Sequence, residues 1–295
     1  YFYANLLILT KAQWHFFRQL GKFLFDIYQI IVGDVIKNCK QYLEIMLMKI
    51  RLGMLTPSSN TVLEPLCSAM AADLLETSVH FSRFTVTRIA MDDTALGQFN
   101  TAPMLEAAKL LADSKVDVIA WNGTSASWLG LDSDHALVRE IEAETGIMAT
   151  TCVLSMMDAL EALEAKTYAL VTPYTGDVQD KIVDNLKVLG FDCAAELHFD
   201  ISDNFSFGTV PEQQIEDALR EVCLAKPDAV IILCTNLAGA PVVAQVETDT
   251  GIPILDSVTL TMWGALLRTN KPTNGLGPWG PKLAALKIKK LWPPQ

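Results

Sequence analysis

A chain of 295 residues, 51% of them hydrophobic, is long enough for two modest lobes and a sizeable core, and is globular rather than disordered. Its formal net charge of -11 argues against nucleic acid, whose phosphates require a basic face. Six cysteines without a CxxC pair and four histidines without a second ligand at helical spacing give no metal site, and the thiols read as reduced and cytoplasmic.

Residues 1–47 differ from the rest: aromatic, Ile-rich and weakly basic, with few small residues. They read as an extension outside the enzyme fold, because Met48-Lys49-Ile50 immediately precedes the first strand and resembles a natural start. A membrane anchor is the competing reading. Lys11, Arg18, Lys22, Asp26 and Asp34 interrupt every window of the roughly 18 uncharged residues that a spanning helix needs. No membrane is therefore expected as a partner, although an amphipathic surface helix stays open.

From Ile50 the pattern is strand, loop, helix. Arg51–Leu55 is the first strand, Thr56 to Thr61 its loop, and Val62, Leu63, Leu66, Met70 and Leu74 mark one side of a helix. Phe81–Ile89 alternates as a second strand. A helix over Thr101–Asp113, a strand over Val116–Trp121, a helix over His135–Glu144 and a linking helix over Leu154–Ala165 follow. The cycle restarts with a strand at Tyr168–Val171 and a helix over Val178–Leu189, closed by Gly190. Next come a strand over Phe191–Phe199, a helix over Pro211–Cys223 and a strand over Ala229–Leu233. A helix opening at Pro241, a strand over Ile252–Asp256 and a helix over Thr259–Leu267 complete the pattern. Alternating βα units of this kind predict parallel sheets with helices on both faces. The tail after Asn270 contains Gly275-Leu276-Gly277-Pro278-Trp279-Gly280, a formal GxGxxG that follows no strand and carries a proline; it is a false dinucleotide fingerprint. The lysines beyond it read as solvated.

Three pairs of segments repeat in order. Val116 to Ser125 matches Pro227 to Asn236, with Asp117 on Asp228, Gly123 on Cys234 and Thr124 on Thr235. Ile141 to Ile147 matches Val246 to Ile252, and Gly53 to Ser58 matches Ala169 to Tyr174. An internal duplication is expected, giving two pseudo-symmetric α/β lobes that face each other. The boundaries are 48–163 plus about 256–268 for the first lobe, 164–255 for the second, and 269–295 for the tail.

Cys234 ends a buried strand just before a helix, where open α/β sheets bind ligands and where helix-start amides favour anions and lower a thiol's pKa. Cys67, Cys152, Cys193 and Cys223 lack that setting and read as structural. Thr124 and Ser125, mirrored by Thr235 and Asn236, offer hydroxyls and amides for a carboxylate; helix capping explains them equally well. Ser58, Ser59 and Asn60 close the first strand, and Tyr174 with Thr175 closes its repeat. Asn204 reaches the cleft or makes an Asx turn. Ile89, Met91, Trp121, Trp128 and Phe207 are pocket walls or ordinary core.

Thr56-Pro57-Ser58-Ser59-Asn60-Thr61, Asn122-Gly123-Thr124-Ser125-Ala126-Ser127, Thr172-Pro173-Tyr174 and Leu233-Cys234-Thr235-Asn236-Leu237 resemble the aspartate/glutamate racemase superfamily. The closest branches are the maleate cis-trans isomerases and the arylmalonate decarboxylases, and the likeness spans about Ile50 to Leu267. It implies a cofactor-free enzyme of two Rossmann-like lobes, acting in the cleft between them on the α-carbon of a small carboxylic acid. Two cysteines face each other in the racemases and isomerases. Here Cys234 matches the second, while Gly123 replaces the first, as in the decarboxylases. That branch implies Thr124, Ser125 and Tyr174 holding one carboxylate while Cys234 protonates an enediolate. Asn60 and Asn204, and Thr235 beside the cysteine, look more like the maleate isomerases. Decarboxylation of a substituted malonate is the expectation; isomerisation or racemisation, and a non-catalytic acid-binding protein, are the alternatives. A homo-oligomer is compatible with the apolar helical faces.

Overall fold

The computed structural model describes residues 49–288, together with Gln19, Lys22 and Tyr28. The chain divides into two units, Tyr1–Met48 and Lys49–Gln295, and the fold below is that of the second. The expectations for residues 1–47, Cys39 and the lysines from 289 onward lie outside the described residues.

Two four-stranded sheets form this unit, and every strand pairing within them is parallel. The first comprises β1 (Ile50–Pro57), β2 (Thr77–Phe84), β3 (Val118–Trp121) and β4 (Ala149–Thr151), in the order β2-β1-β3-β4. The second repeats that order as β6-β5-β7-β8, from β5 (Thr167–Thr172), β6 (Asp192–His198), β7 (Ala229–Ile232) and β8 (Ile254–Asp256). β3 and β7 are buried at every position, as continuous apolar runs covered by helices on both faces must be.

The duplication extends to individual hydrogen bonds. Asp117 accepts from the Arg51 amide in the first lobe, and Asp228 accepts from the Lys166 and Thr167 amides in the second. Glu142 accepts from Ala149 N at 3.0 Å, and Glu247 from Ile254 N at 2.8 Å. The helices preceding these strands both end on a left-handed glycine, Gly146 at φ 69° and Gly251 at φ 73°. Thr151 and Asp256 then cap the helices Cys152–Ala162 and Ser257–Arg268 with their side chains. The helix Ser257–Arg268, which follows the last strand of the second sheet, packs on Cys152–Ala162 and on β3 and β4 and so covers the first sheet.

Some elements differ from the sequence expectation. The second strand lies at Thr77–Phe84 rather than Phe81–Ile89, because its register against β1 runs from Ile50↔Thr77 to Pro57↔Phe84. Beyond Phe84 the chain leaves the sheet, and the Ser58 and Ser59 hydroxyls take the Val86 carbonyl instead. The three-residue β4 and the short helices Ala126–Leu129 and Asn204–Phe207 carry too few residues to show a period. The tail is folded: Leu276 and Leu283 are buried, and the Trp279 indole donates to Asp73 at 3.0 Å.

Candidate active site

Side-chain hydrogen bonds bring together the loops at the carboxyl ends of the four central strands, β1, β3, β5 and β7. After Ile232 the chain leaves β7, and Cys234 begins the turn that precedes the helix Ala240–Thr250. The thiol is 3% exposed, and its Sγ accepts from the Asn236 amide at 3.3 Å. Burial pushes the thiol pKa up to about 12; the Asn236 amide and the Tyr174 hydroxyl oppose the rise, and the Asp256 carboxyl adds to it. The lowered thiol pKa expected from the helix start is not found, because desolvation outweighs the amide contacts. Cys234 is therefore a neutral acid at physiological pH.

Across from it, the loop after β3 carries Asn122, Gly123, Thr124 and Ser125. Thr124 Oγ1 and the Tyr174 hydroxyl are 2.6 Å apart, joining the loop after β3 to the loop after β5. Burial first, then the neighbouring Cys234, hold the Tyr174 phenol well above its ordinary range, so it stays protonated. Ser125 is buried at the start of the helix Ala126–Leu129 without capping it, and its hydroxyl has no partner among the described residues. Free hydroxyl, neighbouring phenol and neutral thiol together form a set of donors suited to a carboxylate or an oxyanion.

The remaining expected residues tie the lobes together. Asn60 Oδ1 accepts from the Val62 and Leu63 amides, and Asn60 Nδ2 donates to Thr235 Oγ1 at 3.2 Å. Thr235 Oγ1 donates on to the Asn122 carbonyl at 3.0 Å. Asn236 Oδ1 accepts from the Thr61 and Val62 amides at 2.9 and 3.2 Å, while its Nδ2 donates to the Asn204 carbonyl. Asn204 Nδ2 donates to Ser59 Oγ at 2.7 Å. Ser58 stands apart: it is exposed, and its hydroxyl exchanges hydrogen bonds with the Val86 backbone. Both amide atoms of Asn60 and of Asn236 are thus engaged within the protein.

Asp256 has no role in the sequence reading, and Trp121 has only that of pocket wall or ordinary core. Asp256 is fully buried; its Oδ1 caps Val258 and Thr259, while its Oδ2 has no partner among the described residues and burial raises its pKa to about 6. Its signal was available, since it occupies the duplicated place of Thr151. Trp121 lies over Gly123: an ideal Cβ on that glycine would sit 1.9 Å from Trp121 Cζ2 and 2.2 Å from Cε2. Phe84 backs the indole with ring centroids 5.0 Å apart. A row of edge-to-face rings, Phe99, Trp128, Tyr174 and Phe207, passes through the site tyrosine. A separate cavity of about 250 Å³ opens between the Ala126 turn and the Asn185 helix, lined by Ser127, Leu131, Val153 and Leu186 and by none of the expected site residues.

Among the described residues no cluster of three or more His, Cys, Asp or Glu has a metal-binding arrangement, and no helix is long and apolar enough to cross a membrane.

Comparison with known proteins places this geometry in context. The family profile described as arylmalonate decarboxylase matches residues 65–277. A maleate isomerase of Nocardia farcinica is 28% identical over 232 residues, covering 75% of this chain and 91% of the relative. An arylmalonate decarboxylase of Bordetella bronchiseptica is 24% identical over 166 residues, covering 55% and 69%. Among solved structures, a Nocardia farcinica maleate cis-trans isomerase mutant with a covalently bound succinylcysteine intermediate superposes with a TM-score of 0.73 at 24% identity, over 81% of this chain and all of the other. Arylmalonate decarboxylase superposes with a TM-score of 0.65 at 20% identity, over 80% and 100%. These two structures share the two-lobed parallel fold.

Proposed function

Because the chain belongs to the arylmalonate decarboxylase family, we propose that it is an enzyme acting on the α-carbon of a small dicarboxylic acid, and that it decarboxylates a substituted malonate with Cys234 as the proton donor. The observation that carries the choice is the asymmetry of the cleft. One side holds a buried neutral thiol; the other holds Gly123 with an indole where a second thiol would need room. A thiol kept protonated by burial is suited to giving a proton to a carbanion and unsuited to attacking an alkene as thiolate.

In this reading the Ser125 hydroxyl, the Tyr174 phenol and Thr124 hold the carboxylate that is retained. The bond from the α-carbon to the other carboxyl breaks, carbon dioxide leaves, and the electron pair passes into the retained group as an enediolate. Donors fixed around that group are worth more as charge accumulates there than they are to the ground state. The Cys234 S–H bond then breaks as the α-carbon takes its proton, and solvent reprotonates the thiolate. The buried surroundings favour loss of a charged group as a neutral gas. Asn60, Thr235 and Asn236 hold the two lobes in register rather than contacting the acid. On the same reading the enzyme fold begins at Met48, and the thiols, all five described ones being free, belong to a reducing cytoplasm.

Maleate-type isomerisation is the second reading. It is favoured by the similarity to the Nocardia maleate isomerase and by Asn60 and Asn204 beside the site. Proton NMR in deuterated water, with substituted malonates and with maleate, separates the two. Carbon dioxide loss with one deuterium placed at the α-carbon, abolished in Cys234→Ala, is the expected result. Fumarate formed from maleate without carbon loss overturns the decarboxylase reading. Retention of turnover in Cys234→Ala removes the thiol from the chemistry altogether.

A further inference from the structure

Gly123 is the duplicated counterpart of Cys234, yet the space in front of it is full. Along an extended chain residues two apart share a face, so the side chain of Trp121, the last residue of β3, falls where a side chain on residue 123 would project. The built Cβ meets Cζ2, Cε2 and Cη2 of the indole at 1.9, 2.2 and 2.6 Å, all closer than side-chain atoms approach. Phe84 supports the ring from behind, and Trp121 is 1% exposed.

The same ring carries an unsatisfied donor. Three indole N–H groups among the described residues, those of Trp121, Trp128 and Trp263, are buried without a partner. That of Trp121 is one bond away from Cε2, the atom 2.2 Å from the Gly123 Cβ position. Buried N–H groups are nearly always hydrogen-bonded, so one without a protein partner, on the ring that packs against Gly123, marks a place where an acceptor is wanting.

We propose that Trp121 is a substrate-contacting, specificity-determining residue: its indole takes the place of the missing second thiol, limits the group on that face of the α-carbon to the size of a carboxylate, and donates its Nε1–H to the bound acid. The inference rests on the reading of the cleft as a site for small dicarboxylic acids. It adds what that reading lacks, a reason why a glycine at residue 123 does not leave a hole. An apolar ring edge admits a compact planar group and turns away a bulky one, and a hydrogen bond from the indole selects an acceptor over a hydrocarbon.

Calorimetric titration of Cys234→Ser protein with methylmalonate and phenylmalonate, repeated with Trp121→Phe and Trp121→Leu added, tests the proposal. Methylmalonate is expected to bind about tenfold more weakly to the Phe variant, which keeps an aromatic ring but has no N–H. The Leu variant is expected to shrink the preference for methylmalonate over phenylmalonate at least tenfold. An unchanged preference with intact binding overturns the inference and leaves the acid-cleft reading standing. If neither acid binds to any form, nor protects Cys234 from alkylation in the unaltered protein, the reading fails and takes the inference with it. Thermal unfolding supplies a check that needs no ligand. Gly123→Ala is expected to lower the melting temperature by several degrees, and the double variant Trp121→Leu, Gly123→Ala to be more stable than the sum of its parts. A Gly123→Ala protein as stable as the parent shows that the indole does not hold that volume, and the inference falls.

Discussion

The hydroxyls of Thr124 and Tyr174 meet at 2.6 Å, one reaching from the loop after β3 and the other from the loop after β5. The same phenol is near enough to the Cys234 thiol to lower its pKa, so one side chain neighbours both the group that would hold the acid and the group that would protonate it. Tyr174→Phe keeps the edge-to-face packing with Trp128 and Phe207 while removing the O–H. A hydrogen bond to a charged partner is worth about 1.5–3 kcal/mol, or roughly 10–100-fold. Steady-state kinetics are expected to show a fall of that size in kcat/KM, with a melting temperature within a few degrees of the parent. Unchanged kinetics remove the phenol from the site.

The buried thiol has its own signature in alkylation. With a pKa near 12, Cys234 is almost wholly protonated at pH 7–8. Its rate of labelling by iodoacetamide should rise in proportion to hydroxide through pH 10, with no plateau near 8.5 where an ordinary thiol levels off. Mass spectrometry of the labelled peptide distinguishes Cys234 from Cys193 and Cys223, whose thiols burial also raises. A plateau between pH 8 and 9 at Cys234 contradicts the proton-donor role, because a thiol that ionises there is available as a nucleophile.

Asn236 tests the junction between the lobes. Its Oδ1 satisfies the Thr61 and Val62 amides at the start of the helix Leu63–Ala72, and its Nδ2 satisfies the Asn204 carbonyl. Asn236→Ala leaves the Thr61 amide and the buried Asn204 carbonyl to find other partners, while the Val62 amide keeps Asn60 Oδ1, at a cost of about 1–3 kcal/mol for each group that finds none. Denaturant titration is expected to show a loss of about 2–5 kcal/mol. A loss under about 0.5 kcal/mol would assign those backbone groups to water and Asn236 to the substrate instead.

Cys234 was legible because a β-branched run stopping at a thiol before a helix is a local pattern, and the duplication placed Gly123 opposite it. Two lobes of parallel sheet followed from the same repeat, whereas the strand order within each sheet did not. The roles of Asn60 and Asn236 were not legible, since each bonds a residue about 175 positions away. Nothing local distinguishes such a strut from a ligand. Trp121 was half legible: a large aromatic at the end of a buried strand reads as pocket wall or core alike, and its contact with residue 123 emerges only from side-chain direction. β4 was missed because three residues of Ala and Thr leave no periodicity, and the tail because its burial depends on helices far away in sequence.

The last expectation concerns a carboxyl outside the site. Asp134 is buried in the helix Leu131–Thr145, and its hydrogen-bond partner is the Thr151 hydroxyl, which caps the next helix. Burial raises its pKa from 3.8 to about 7, and the bond from Thr151 only partly opposes this. The folded form therefore binds the proton more tightly than the unfolded chain does. Stability from this group is fully present below pH 3.8 and is lost as pH rises through 7. Asp134→Asn keeps an acceptor for Thr151 and cannot ionise. Relative to the parent it should gain nothing near pH 4 and increasingly more toward pH 8, up to about 4 kcal/mol for three pKa units. Asp256, raised to about 6 by burial, slopes the same way but is present in both proteins and cancels in the comparison. Paired melting curves at half-unit intervals from pH 4 to 8 measure the difference. A difference that stays constant across that range means Asp134 is charged in the fold, and a cation or water then has to be found beside it.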